Sequence, residues 1–218
     1  MPEWFAVVLL GIVEGVTEFL PVSSTGHLLL CEHWLKPRSE LFNVVIQCGA
    51  VLAVTLVFMQ RLRDMVRQWR EPAVIDYAAK IAAAFLITAV GGLILKKIGL
   101  KLAGNSASLV ATTTLVGGVL ILIVERWLRG REAGGDVTWT VALAVATAQL
   151  LAAAFPGTSR SGATILVALA LGLSRPRAAE FSFLLGIPTL LAAGAYEILS
   201  AARRHETSGE NWGMVFLG

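Results

Sequence analysis

Long apolar runs alternate with short polar interruptions along nearly the whole chain of 218 residues. Residues 41–60, 74–95, 107–124, 137–155 and 178–196 carry almost no charge, with Asp76, Lys80 and Glu180 as the exceptions. Crossing a hydrocarbon layer of about 30 Å takes roughly 20 residues of helix, so several of these runs predict membrane spans. The finer pattern predicts a helix over Trp4–Leu20 ended by Pro21, a polar hinge at Val22–Gly26 and a short helix over His27–Leu35. A span over Phe42–Met59 is closed by Arg61, Arg63, Arg67 and Arg70, and one over Tyr77–Leu95 by Lys96, Lys97 and Lys101. Asn105 and Ser106 are cap residues for a span over residues 107–124 that ends at Glu125–Arg131. After a loop at Gly134–Asp136 come an apolar helix over Trp139–Phe155, a second polar hinge at Pro156–Gly162, a short helix over Ala163–Leu173 and a span over Ala178–Leu199.

Two parts of this pattern match. Phe19-Leu20-Pro21 followed by Ser23, Ser24 and Gly26 is echoed by Phe155-Pro156 followed by Ser159, Ser161 and Gly162, and Phe42 with its long helix is echoed by Phe181. The offsets are 135 residues for the prolines and 139 for the phenylalanines, which suggests one internal repeat. If each helix–hinge–helix pair (about 4–35 and about 137–173) enters and leaves on one face, each unit crosses an odd number of times and the second unit is inverted. The expected architecture is an all-α polytopic membrane protein with an inverted-topology repeat and two re-entrant hairpins. Residues 1–135 form the first unit, with spans at about 41–60, 74–98 and 107–128. Residues 136–218 form a partial second unit with a span at about 178–201 and the start of a further helix. Two complete units need roughly 275 residues, so the last two spanning helices are expected to be missing. The arginines after the first and third spans share one face in this scheme, and Lys36, Arg38, Lys96, Lys97, Lys101, Arg203 and Arg204 share the other, a bias too small to orient the chain.

Composition agrees with a membrane protein. Apolar residues make up 56% and charged residues 15% of the chain, against roughly a quarter charged in soluble domains; mean hydropathy is +0.73. A net charge of +3 without a basic–aromatic array excludes a nucleic-acid surface. Cys31 and Cys48 match no metal or redox spacing and are expected to be packed thiols. The first helix contains Glu14 and Glu18 and has no basic start, unlike a secretion signal. Isolated Gln47, Gln60, Gln149 and Asn43 are read as hydrogen bonders between helices, and Gly91–Gly92 and Gly117–Gly118 as close-packing positions.

The chemistry concentrates at the two hinges. Glu14 and Glu18, four residues apart, place two carboxylates on one helix face, where an apolar setting demands a cation, an arginine or a proton. Metal ligation and acid/base work both follow from that pair. Ser23, Ser24, Thr25 and His27 then offer three hydroxyls and an imidazole within five residues. Any of the hydroxyls suits a phosphate oxygen or an attack on phosphorus, and His27 suits a general base or acid. The second hinge runs Pro156-Gly157-Thr158-Ser159-Arg160-Ser161-Gly162-Ala163-Thr164. Arg160 is the sole basic residue between Arg131 and Arg175, and a phosphate oxyanion is its natural bidentate partner; pairing with Glu14 or Glu18 is the plainer alternative. Gly157 and Gly162 allow backbone N–H groups to converge on an anion. Glu180 either lines the site by symmetry or starts its helix.

The stretches Glu14-Gly-Val-Thr-Glu-Phe-Leu-Pro-Val-Ser-Ser-Thr-Gly-His27 and Pro156–Thr164 resemble the two signature motifs of the bacterial undecaprenyl-diphosphatase family, the bacitracin-resistance phosphatases, and Phe42–Val54 and Ala179–Pro188 look like the helices that follow each motif there. The resemblance implies hydrolysis of undecaprenyl diphosphate to undecaprenyl phosphate, which recycles the lipid carrier of peptidoglycan synthesis. It implies support by Mg2+ or Ca2+ and a site facing the outer side of the bacterial plasma (inner) membrane; membrane lipid is the surrounding partner, and a homodimer is compatible with it. Carried over, Glu14 and Glu18 match the essential acids, Ser24 and His27 the nucleophile-and-base region, Arg160 the phosphate-binding arginine, and Ser159, Ser161 and Thr164 further motif positions. Asn43 stands where some members carry an acid, and the stretch from Gln149 to Pro156 is one residue longer than usual. The competing class is an alternating-access transporter or polyprenyl-phosphate flippase.

Overall fold

The chain folds into ten helices among the residues described, 2–98, 106–130, 134–203 and 212–218 of a computed structural model. They are α1 Glu3–Thr17, α2 Ser24–Leu35, α3 Glu40–Val57, α4 Met59–Arg67, α5 Pro72–Lys97, α6 Ala107–Leu128, α7 Trp139–Ala154, α8 Arg160–Ala170, α9 Arg175–Arg203 and α10 Trp212–Leu217. Lys101, Asn105, Arg131 and Arg204 lie outside the described residues. Among those residues the only strand-like pairing is an isolated bridge between Gly135 and Leu173.

Helix starts follow local chemistry. Ser23, Ser39, Ser106, Thr138 and Ser159 each sit before a first turn and accept a backbone N–H from the residue three further on, which satisfies one of the donors a helix leaves open. Pro72 occupies the first turn of α5, where its missing N–H costs nothing. Three helices, α5, α6 and α9, are long and apolar enough to cross a membrane, and the α3–α4 pair makes a fourth if counted as one span. Leu115 and Leu122 on α6 are 68% and 71% exposed, so these apolar faces are finished by lipid rather than protein. The chain is a multi-pass membrane protein.

Several elements differ from the sequence-based expectation. α1 stops at Thr17 rather than reaching Leu20, and the hinge shrinks because α2 begins at Ser24. The second hinge shrinks likewise: Arg160, Ser161 and Gly162 form the first turn of α8. The basic run after α3 does not end structure but forms α4, bent by 64° from α3 at Phe58. An amphipathic basic helix turned along the surface serves the same end as a solvated stop. Gly91 does pack closely, against Leu150, but Gly92, Gly117 and Gly118 face open space. Glu180 pairs with Arg61 at 2.7 Å rather than joining the other acids. Both cysteines are free and half-buried.

Two buried clusters form around the two helix–break–helix pairs, and each also takes in residues of the other half of the chain, Val215 in one and Ala84 in the other. Val7, Leu10, Leu28, Phe42 and Ile46 knit α1, α2 and α3; Val145, Leu169, Phe181 and Leu185 knit α7, α8 and α9, with Ala84 of α5. A third cluster, Phe19 with Ala50, Val51 and Leu190, lies where α3 meets α9 under the first break. The second break is locked onto α6: Thr113 Oγ1 donates to Pro156 O at 2.5 Å and Thr114 Oγ1 to Gly157 O at 3.0 Å.

Gly157 has φ +89°, and a Cβ there would lie 2.6 Å from Val110 O and 2.8 Å from Val110 Cα. Gly172 has φ +94° but faces open space. Both alanine substitutions carry the left-handed penalty of about 1–2 kcal/mol, and only Gly157→Ala adds a clash with α6 backbone. Thermal unfolding of the detergent-purified protein should show a clearly larger loss for Gly157→Ala than for Gly172→Ala. Equal losses would mean that the close approach to α6 contributes nothing.

Candidate active site

The last turn of α1 presents the two acids. Glu18 lies just past the helix, but its N–H still bonds Glu14 O at 2.9 Å, so both carboxyl groups stay on one face. They are 2% and 7% exposed. Glu18 is the hub. Its Oε2 accepts the Ser24 hydroxyl at 2.6 Å, and its Oε1 accepts Arg160 Nη2 at 3.4 Å. Ser24 opens α2 after Ser23, whose φ of +64° places a non-glycine residue in the left-handed region. Such strain costs on the order of 1–3 kcal/mol and persists where surrounding contacts over-determine it. Ser23 is buried, its hydroxyl caps α2, and its carbonyl lies 2.9 Å from His27 Nδ1. A carbonyl only accepts, so Nδ1 carries the proton and Nε2 is the basic nitrogen of the ring.

Arg160 begins α8 and reaches back toward Glu18. The Phe19 ring lies 5.4 Å from its Cζ, a favourable stacking for a cation withdrawn from water. On the far side, Gly186 of α9 makes the room: a Cβ there would stand 2.3 Å from Nη1. One guanidinium nitrogen is given to Glu18, while Nε and Nη1 are buried without a partner. Flanking it, Ser161 Oγ donates to Leu20 O at 2.9 Å and Ser159 Oγ to the same oxygen at 3.4 Å, tying the second break to the first.

Of the residues expected at the site, Glu14, Glu18, Ser24 and Arg160 converge directly, His27 and Ser23 sit one contact away, and Ser159 and Ser161 join through Leu20. Others do not converge. Thr25 is exposed. Gly162 gives its N–H to Ser159, and the Gly157 carbonyl accepts the Thr114 hydroxyl. Thr158 sits in the break, where its N–H bonds Phe155 O. Thr164 turns to Ser182 at 2.6 Å inside the core. Gln149 faces Thr189 at 3.1 Å. Thr113, Thr114, Phe19, Ser182 and Gly186 support the site and were not singled out from sequence; the one available signal was the run Thr112-Thr113-Thr114 inside an apolar span.

Among the described residues no three His, Cys, Asp or Glu side chains gather tightly enough to hold a metal by themselves. Glu14 Oε2, however, is buried and unpartnered beside Glu18. Two carboxylates with open positions suit a hard cation that takes its remaining oxygens from water and from a phosphorylated ligand, so the acid pair fits Mg2+ or Ca2+.

The family described as Bacitracin resistance protein BacA matches residues 7–218. The chain is 49% identical over 219 residues to a protein of Rhizobium johnstonii named undecaprenyl-diphosphatase, covering 99% of this chain and 82% of that one. It is 50% identical over 212 residues to a protein of the same name from Rhizobium etli, covering 96% and 79%. A Xylella fastidiosa protein, also so named, is 49% identical over 213 residues, covering 97% and 81%. With nearly its full length matched and both hinge motifs in place, this chain belongs to the bacitracin resistance protein BacA family.

Proposed function

We propose that this chain hydrolyses undecaprenyl diphosphate to undecaprenyl phosphate and inorganic phosphate in the bacterial plasma membrane, with its site reached from the outer face. The observation that carries the reading is the 2.6 Å hydrogen bond from Ser24 Oγ to Glu18, set beside the two unpartnered nitrogens of Arg160. The phosphatase names of the relatives favour it over a transporter.

The broken helices act as re-entrant hairpins of an inverted repeat, residues 1–135 and 136–218. Two contacts support this. Arg38, just after α2, pairs with Glu3 at the start of α1 at 2.8 Å, so both ends of that hairpin share a face. Gly135, before α7, bridges Leu173, after α8, and does the same for the other. Their tips meet at Leu20 and Ser161.

In the mechanism, the isoprenoid tail remains in lipid and the diphosphate head enters between the tips. Arg160 Nε and Nη1 each donate to an oxygen of the diphosphate head, which also stabilises the charge that spreads over the terminal phosphate during transfer. Ser24 Oγ bonds to the terminal phosphorus, its proton passes to Glu18 Oε2, and the P–O bond to the bridging oxygen breaks to release undecaprenyl phosphate. Water then attacks the phosphoserine, and Ser24 leaves with the proton held by Glu18. His27, with Nδ1 fixed by Ser23 O, keeps Nε2 for the proton of the attacking water. When bound at Glu14 and Glu18, a divalent cation would neutralise further phosphate charge.

Glu18→Gln should lower kcat by about 10²–10⁴-fold, the usual span for a lost general base, and Ser24→Ala should abolish any phosphoenzyme trapped by acid quench. Full phosphate release by Ser24→Ala would eliminate the serine route. Arg160→Lys keeps the charge but loses the separate Nε and Nη1 donors, so kcat/KM should drop on the order of 100-fold, mostly through KM. Chelation should stop phosphate release from undecaprenyl diphosphate and Mg2+ or Ca2+ should restore it, while Glu14→Gln should need more cation for half-restoration; release indifferent to chelator would remove the metal from the proposal.

A further inference from the structure

Away from the two breaks, a polar hollow and an apolar groove lie side by side on α4, α5 and α9. The hollow, about 510 Å³, is lined by Arg61, Tyr77, Lys80, Asp136, Arg177 and Glu180 among others. The groove, about 340 Å³, is lined by Leu62, Ala78, Ile81, Ala82, Leu184 and Pro188 among others. Met65 lines both, and Arg61/Leu62, Tyr77/Ala78 and Lys80/Ile81 are chain neighbours split between them. Charged cup and hydrocarbon slot are therefore continuous, the shape of one amphiphile.

The cup mixes signs in an ordered way. Arg61 bonds Glu180 at 2.7 Å and stacks on Tyr77 at 5.3 Å. Arg177 bonds Asp136 at 2.5 Å and the carbonyls of Gly134 and Gly135. Lys80 pairs with Asp76, lies 6.0 Å from the Trp139 ring, and is only 8% exposed, two turns inside α5. A buried lysine inside a spanning helix, here at the level of Trp139, points to a functional site. Three cations face three carboxylates, Asp76, Asp136 and Glu180, so the cup itself is charge-balanced: its cations suit a phosphate, and its carboxylates, as acceptors, suit hydroxyl donors. The hollow is far larger than a bare phosphate and within the range of small-molecule sites. Around it, α4 sets Arg61, Arg63 and Arg67 against Asp64 alone, and such juxtamembrane basic clusters attract anionic lipid. Exposed Trp69 and Trp139 mark the same level as an interfacial belt.

We propose that this face binds one anionic glycerophospholipid with a hydroxylated head, of the phosphatidylglycerol type. Its phosphate lies against Arg61, Lys80 and Arg177, its head hydroxyls donate to the cup carboxylates, and one acyl chain fills the groove. This site is separate from Glu14, Glu18, Ser24 and Arg160 and does not depend on the phosphatase reading. The test is lipid retention by the purified full chain, measured by native mass spectrometry after extraction from vesicles of equal parts phosphatidylglycerol, phosphatidylethanolamine and phosphatidylcholine, without polyprenyl substrate. One phosphatidylglycerol should be retained at about tenfold preference, a free-energy difference of about 1.4 kcal/mol. Arg61→Gln should remove the head preference. Ala82→Trp, which plugs the groove from its lipid-exposed side without touching a charge, should remove retention while phosphate release stays unchanged. Equal retention of the three lipids, a head preference undiminished in Arg61→Gln, or retention undiminished in Ala82→Trp would each overturn the proposal.

Discussion

A helix that breaks inside an apolar medium exposes carbonyl groups that no water reaches, and each such group costs several kcal/mol unless another donor is found. In this chain the donors are hydroxyls from elsewhere. Thr113 and Thr114 of α6 serve the carbonyls of Pro156 and Gly157, and Ser161, with Ser159, serves Leu20 O. The last pairing carries the consequence. Leu20 O accepts the Val22 N–H at 2.8 Å within its own tip, and the hydroxyls of the second break add to it, so the two tips are joined at that oxygen. Arg160 stands between Ser159 and Ser161, and Glu18 stands two residues before Leu20. Closing the backbone therefore brings the guanidinium to the carboxylate, without a separate force to assemble the site.

The charges then constrain one another. Breaking a buried ion pair by removing one partner costs about 3–5 kcal/mol, because the other is left uncompensated. Glu18 avoids that cost by taking both Arg160 and the Ser24 hydroxyl. The ring of Phe19 and the missing side chain of Gly186 hold the guanidinium in place from either side. Phe19 stacks edgewise on Phe183 of α9, so the same residue that contacts the arginine also anchors the break to the helix behind it. The strained backbone at Ser23 fits this pattern: its carbonyl holds His27 and its hydroxyl caps α2, so two contacts maintain one unfavourable torsion.

Much of this was legible in the chain itself. The apolar runs located the spans, the prolines located both breaks, and the spacing of Glu14 and Glu18 placed two carboxylates on one face. Cap residues such as Ser106 set helix starts correctly. What periodicity does not encode is the rotamer and the distant partner. His27 is nearer to Ser24 in sequence than Glu18 is, and only the fold turns the serine to Glu18. Thr164 sits in a motif that suggests the site, yet its neighbour in space is Ser182, on a helix that begins eleven residues later. The arginines after α3 read as a stop signal because their apolar partners, Leu62 and Met65, matter only once a groove exists to receive them.

The unsatisfied groups are the remaining clue to how stability and chemistry share the same atoms. Arg160 Nε and Nη1 and Glu14 Oε2 are buried without partners, and each such group destabilises a fold by about 1–3 kcal/mol. Hydroxyls were at hand to satisfy the arginine: Ser159 and Ser161 flank it. Both donate instead to Leu20 O, which also accepts the Val22 N–H at 2.8 Å, and neither oxygen is placed to accept from the free nitrogens of the arginine. The guanidinium keeps Glu18 and an aromatic face and stays open on its remaining nitrogens. A diphosphate brings acceptors for those nitrogens, and a cation brings what Glu14 lacks, so the ligand supplies contacts that the folded chain leaves unmade.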